Sequence, residues 1–180
     1  MTRDPTAMAP PSPAPVPTPM QGLFILAAII VGVAIYLGLS YFLQIASPYA
    51  GFLLLLYWGG LKGSAPAEFP AAFFGALGGV LLSYLLWALP LAMGSAGLVI
   101  ALLLITFAVY ALVMGWLPLV VNNAMMLLLT VGTIGVIQEK ADFSGIAASA
   151  LLGGALAGLM LLIGRMMARR KSLVPASSAG

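Results

Sequence analysis

Charge is almost absent from this chain: Asp, Glu, Lys and Arg together make up 6% of it. A water-soluble domain carries about a quarter charged residues, because its surface must be solvated. With 63% apolar residues, the outer surface has to face lipid. A helix that crosses ~30 Å of hydrocarbon needs roughly 20 mostly apolar residues. After a polar leader, some 150 of the 180 residues remain, which six tightly connected crossings nearly fill. The expected fold class is therefore all-α, an integral membrane bundle of about six transmembrane helices.

Residues 1–20 hold seven prolines, Pro5, Pro10, Pro11, Pro13, Pro15, Pro17 and Pro19. Such a run favours an extended, solvated chain and reads as a disordered tail or a docking arm for a partner. The apolar stretch after it is too long for the roughly 7–15-residue core of a signal peptide. The transmembrane domain is expected over 21–171, with 172–180 as a flexible carboxyl tail. Within it the apolar runs cover 22–43, 51–61, 69–89, 92–114, 119–137 and 143–167. Pro90 is expected to end the third helix, and Gln138, Glu139, Lys140 and Asp142 to form a polar loop. The second run is short. Extended back to Pro48 it gives about 21 Å of helix at 1.5 Å per residue, either a thin crossing or a half-helix.

Charge placement favours six crossings. Both termini then share one side with Arg3, Lys62, Arg165, Arg169, Arg170 and Lys171, and only Lys140 lies opposite. Loops rich in Lys and Arg stay in the cytoplasm, so both termini are expected there. A re-entrant second run would move Lys62 across and separate the termini.

The halves also echo each other. Tyr36 in the first run has a counterpart in Tyr110 in the fourth. Pro48 and Pro118 precede the second and fifth, and Glu68 and Asp142 open the third and sixth. The sequence from Gly75 to Gly79 resembles that from Gly153 to Ala157. Three crossings per half would insert the halves upside-down relative to each other, an arrangement frequent in transporters with sites near the midplane. Chance likeness between apolar helices is the competing explanation.

Most chemistry is excluded by what is missing. There is no histidine and no cysteine. Hydrolytic triads lack their usual base, and zinc and haem lack their usual ligands. Four acids, all expected at interfaces, leave no buried carboxylate pair. None of the three lysines, Lys62, Lys140 and Lys171, lies inside an apolar run, which disfavours a retinal-type Schiff base. No cofactor, metal or enzymatic activity is expected, and the few basic residues make no nucleic-acid footprint.

The remaining candidates are polar or small residues among apolar ones. Asn122 and Asn123 fall one turn into the fifth run, where an amide must find partners. Adjacent residues lie ~100° apart on a helix, so one is expected to bond to a neighbouring helix and the other to line a polar path with Thr130 and Thr133. The alternative is that they glue helices together. Lys62 stands among glycines in Gly59-Gly60-Leu61-Lys62-Gly63, either a ligand-facing break or a headgroup-facing loop. Tyr36 and Tyr110 fall near mid-run and are further path candidates. Gly75 with Gly79 and Gly154 with Gly158 are spaced for close helix packing, within the chain or between copies.

The block from Tyr49 to Phe52, followed by Trp58-Gly59-Gly60-Leu61-Lys62-Gly63 and an apolar helix ending near Trp87, resembles a family of bacterial inner-membrane proteins catalogued as domain of unknown function 1097. The resemblance covers about residues 22–168. It implies a bacterial inner-membrane protein with about six helices and carries no assigned activity. The proline-rich leader departs from it.

Two functions follow as expectations. One is an oligomeric channel or facilitator for a small solute or ion, whose uncharged lining needs no energy-coupling residue. The other is a non-catalytic accessory or scaffold subunit of a larger membrane complex, in which every polar residue serves packing. A proton-coupled carrier needs a titratable group within the membrane, and Glu68 alone comes near one.

Overall fold

The computed structural model describes residues 19–140 and 142–172, and every element among them is helical. The chain divides into two units, residues 1–34 and 35–180. The first contributes, among described residues, only the start of helix α1 (Pro19–Phe42). Apart from Pro19 and Met20, which are helical, the expected amino-terminal tail lies outside the described residues, as does the carboxyl tail beyond Ser172.

The second unit continues from Ile35. Helix α2 (Tyr49–Leu55) runs into a π-helical turn over Leu56–Leu61. Helix α3 (Phe69–Met93) and helix α4 (Ser95–Val113) form a hairpin, followed by α5 (Asn123–Gly132), α6 (Gly135–Lys140) and α7 (Phe143–Ser172). Four stretches are long and apolar enough to cross a membrane: Gly22–Phe42, Phe69–Met93, Ser95–Val113 and Phe143–Arg169. The segments Tyr49–Leu61 and Asn123–Gly132 are apolar but shorter. Four long apolar helices and two shorter apolar ones, by length and composition, are compatible with a membrane protein.

Three sequence expectations are corrected here. Pro90 does not end α3; the helix runs on to Met93 and stops at Gly94, whose φ of 61° suits glycine and reverses the chain within one residue. The Cβ that Gly97 lacks would strike the Leu89 carbonyl, so this hairpin closes only with glycine there. The fifth run is not one helix over 119–137. Leu117 adopts a φ of 50°, helix starts only at Asn123, and it breaks between Gly132 and Gly135. Finally, Gln138, Glu139 and Lys140 lie in α6 rather than in a loop.

Contacts give each helix a direction. Trp58 packs edge-on against Phe69 at 5.5 Å, Lys62 pairs with Glu68 at 3.0 Å, and Gly154 lies against the Phe73 ring. At the opposite end Ser47 Oγ donates to Asp142 at 2.7 Å, and Phe143 packs on Tyr84 and Trp87 at 5.4 and 5.5 Å. Helices α3 and α7 are thus antiparallel. The segment from Tyr49 to Leu61 starts at the Asp142 end, lies along α7 and finishes at the Lys62 end. Helix α5 starts beside Ala71 and runs along α3 to Ser83. Each short helix therefore follows the long helix of the other half: α2 packs chiefly on α7, and α5 on α3.

The two long helices also bury the same face. Counted from their first residues, Phe69 and Phe143, the inward positions coincide. Ala72, Gly75, Ala76, Gly79, Val80 and Ser83 of α3 match Ile146, Ser149, Ala150, Gly153, Gly154 and Ala157 of α7. This register places Gly75 opposite Ser149 in the comparison, one turn earlier than the likeness between Gly75–Gly79 and Gly153–Ala157 suggested. The core is built of small residues, Ala50, Ala72, Ala76, Ala124, Ala150 and Ala157, around Leu54, Leu128 and Trp58. In lipid no hydrophobic force holds helices together, and close approach of backbones supplies the attraction instead.

Candidate functional site

Tyr36 is wholly buried, with none of its surface exposed. Its hydroxyl donates to the Pro48 carbonyl and lies 2.8 Å from Ser149 Oγ. Ser149 Oγ in turn accepts the Gly51 N–H at 2.8 Å. Proton bookkeeping leaves one consistent arrangement: Tyr36 gives its proton to Pro48, and Ser149 gives its own to Tyr36. Every polar atom in this cluster is satisfied, so it clasps α1, α2 and α7 and has nothing left to offer a solute. The close approach depends on missing side chains. A Cβ on Gly51 would land on the Ser149 carbonyl, and one on Gly153 would come within 2.6 Å of Gly51 Cα.

Asn122 is the second clasp. It is not one turn into a helix but the residue that caps α5, in an extended conformation, with Oδ1 accepting from Ala124 N at 2.9 Å and Met125 N at 3.3 Å. Its amide nitrogen donates to Ala71 O on α3 at 2.8 Å and to Pro118 O at 3.0 Å. Gly75 makes room for it; a Cβ there would collide with the Asn122 amide. Gly79 receives the backbone of α5 between Met125 and Leu129. Where α5 breaks, Gln138 Nε2 donates to the Gly132 and Ser83 carbonyls, and Ser83 Oγ donates to Gly79 O at 2.8 Å. Side-chain amides thus satisfy the backbone groups freed at both ends of α5. Irregular backbone in a membrane protein persists only under such conditions.

The sequence-derived candidates are not gathered into one site. Tyr36 and Asn122 are spent on internal bonds. Lys62 is paired with Glu68 at an exposed corner, both partners more than a third accessible. The carboxylate keeps the ammonium charged above its ordinary range. Tyr110 lies one turn from the end of α4, half exposed, with its ring edge-on to Trp116 at 5.5 Å. Gly154 takes the Phe73 ring, whereas Gly158 has only the tip of Phe69 within 4 Å, so these two do not make a close backbone crossing. The tight contact is between Gly51 and Gly153. Nothing in the hydropathy pattern distinguishes these two glycines, although Gly153 lies beside one that was singled out.

Exposed ion pairs contribute little. We expect Lys62→Gln to leave the thermal midpoint in detergent unchanged. Whatever the pair adds is present below the ordinary lysine range and is lost as pH rises through the elevated lysine pKa. A clear loss of stability in Lys62→Gln at neutral pH would contradict this.

Asn123, Thr130 and Thr133 do share a face. All three are exposed, and their spacing holds them within about 80° of arc on α5. The threonine hydroxyls donate to Met126 O and Thr130 O at 2.7 and 2.8 Å. The Asn123 amide has no hydrogen-bond partner among the described residues. This stripe points away from α3, out of the chain's own bundle. A small cavity of about 160 Å³ lies at the Asp142 end, lined by Ser47, Tyr49, Lys140 and Asp142 among others; the Tyr49 hydroxyl is buried with no hydrogen-bond partner among the described residues. Comparison with protein-family models, curated proteins and solved structures returns no match to this chain.

Proposed function

We propose that this protein crosses the membrane six times as two inverted three-helix halves, and that it assembles into a passive conduit for a small solute or ion whose path runs between copies. The exchange of short helices between halves supports the repeat, as does the shared buried register of α3 and α7. The directions of α2 and α5 suit full crossings, with Lys62 and Arg165 on the cytoplasmic side and Lys140 opposite. The resemblance of the Trp58–Gly63 block to domain of unknown function 1097 agrees with a bacterial inner-membrane location. No chemical step is assigned, and no cofactor.

One observation carries the conduit: the outward stripe of Asn123, Thr130 and Thr133 on α5. Asn123 opens α5 beside Ala71, near the Lys62 end, and polar side chains that continue from there along an outward face are favoured where a second copy or a watery path covers them. Inside the described bundle the Tyr36 and Ser149 hydroxyls, the Asn122 amide and Gln138 Nε2 are engaged in internal hydrogen bonds and do not line such a path. Reconstitution into liposomes tests the reading. Flux of small neutral solutes or monovalent ions is expected, and Asn123→Leu should lower it at least tenfold while the protein stays folded. Absence of flux for every solute tried would sink the conduit, and an undiminished rate in Asn123→Leu would remove α5 as its lining.

The commitment of Tyr36, Asn122 and Lys62 to internal bonds favours a second reading, a scaffold subunit of a larger membrane complex. Purification from the native host in mild detergent separates the two. A homo-oligomer supports the conduit, and stoichiometric foreign subunits support the scaffold.

A further inference from the structure

An open groove of about 600 Å³ runs between the amino end of α3 and the carboxyl half of α7. Phe69 and Pro70 form one wall, Ala155, Gly158 and Leu162 the other, and Arg165 stands at its mouth. Gly158 opens onto the groove: a Cβ there would meet only Phe69 Cζ, at 4.0 Å. Along α7, Ala155 to Arg165 spans about 15 Å at 1.5 Å per residue. That is half of the ~30 Å hydrocarbon layer, the depth of a single leaflet.

Charge decides the occupant. Among the described residues, the Lys62 end of the molecule carries Lys62 and Arg165 against one acid, Glu68, and Lys62 takes that acid. Arg165 makes no ion pair with any described residue. The Asp142 end has the opposite balance, with Lys140 against Glu139 and Asp142. A second copy docked in the groove about a two-fold axis would set Arg165 near Arg165, and like charges repel most where water is scarce. A zwitterionic lipid would offer Arg165 its phosphate but no net charge.

We propose that this groove binds one anionic phospholipid, with an acyl chain along Gly158 and Leu162 and the phosphate on Arg165. The inference needs only that the chain lies in a membrane. It is independent of any path along α5, and its readout is lipid retention rather than flux, so either can fail alone.

The test is native mass spectrometry of the full chain, extracted in mild detergent from vesicles of equal phosphatidylglycerol and phosphatidylcholine. At least fivefold enrichment of retained phosphatidylglycerol is expected. Arg165→Gln should abolish the enrichment and Arg165→Lys should keep it. Gly158→Phe, whose ring enters open space and so leaves the fold intact, should expel both lipids. Equal retention of the two lipids by the parent chain would overturn the proposal. So would enrichment that survives Arg165→Gln, unchanged retention in Gly158→Phe, or displacement of the lipid by inorganic phosphate. The chain has no cysteine, so Gly158→Cys offers a clean further check: disulfide capture of a dimer in native membranes would put a second copy where the lipid should be.

Discussion

Gly51→Ala is expected to unfold the α2–α7 interface. The added methyl would sit on the Ser149 carbonyl and 2.6 Å from the Tyr36 hydroxyl. Backbone atoms, rather than the far end of a flexible side chain, have to move. Overpacking a well-filled core costs about 1–3 kcal/mol and occasionally more; here the upper end or beyond applies, because the same displacement breaks the bonds among Tyr36, Ser149 and Gly51. Gly153→Ala, which meets Gly51 Cα from the other side, should do equal damage. Gly38→Ala is the control, since nothing lies within 4 Å of its Cβ position, and helix propensity gives it a gain of up to about 1 kcal/mol. Thermal midpoints in one detergent would rank the three. A Gly51→Ala protein as stable as the parent would refute the close crossing.

Asn122→Ala should be the most damaging loss of a polar side chain. Removing a helix cap costs about 1 kcal/mol, and losing an interhelical hydrogen bond in a membrane about 0.6–1.7 kcal/mol. Together they give about 2–3 kcal/mol, and the room beside Gly75 is left empty as well. Asn122→Asp separates the two parts. It keeps an oxygen for Ala124 N and Met125 N but loses the donor to Ala71 O, and it sets a carboxylate beside carbonyls. We expect Asn122→Asp to be destabilised when the acid is ionised and to recover in part as pH falls and the acid regains a donor proton. Equal stability of Asn122→Ala and the parent would mean that α5 is capped in another way.

The sequence makes the long helices and the short second run plain and hides the breaks on either side of α5, for a physical reason. Pro48, Glu68 and Asp142 mark chain reversals because their backbone or side-chain chemistry does so anywhere. Residues 119–137 are apolar apart from Asn122, Asn123, Thr130 and Thr133, so hydropathy averaged along the run reads one helix. The breaks there depend on Asn122 and Gln138 reaching carbonyls across the fold, which spacing along the chain does not encode. Pro90 misleads for a related reason. A proline late in a helix loses one hydrogen bond, yet the chain needs only one further turn before Gly94 reverses it. The paired asparagines show how much local pattern can say. They do face different surroundings, Asn122 toward α3 and Asn123 outward, but not through a ~100° helical step, because Asn122 lies outside the helix. Which of them turns inward is set by the extended backbone at Asn122, a property of the loop after Pro118. Ser149 and Ser47 carried no signal of their own; an isolated serine in an apolar helix has no periodicity to betray its partner.

Helix α3 has 25 residues, about 38 Å, whereas the segment from Tyr49 to Leu61 is about 20 Å tall and keeps Phe52, Leu56 and Leu61 exposed. A bilayer that meets both must thicken beside one and thin beside the other, and such mismatch costs a fraction of a kcal/mol per Å. The lipid annulus is therefore dented on the side of the short helix. Molecules that bring their dented sectors together deform less bilayer than molecules kept apart, so bilayer thickness becomes a force for clustering that needs no specific contact.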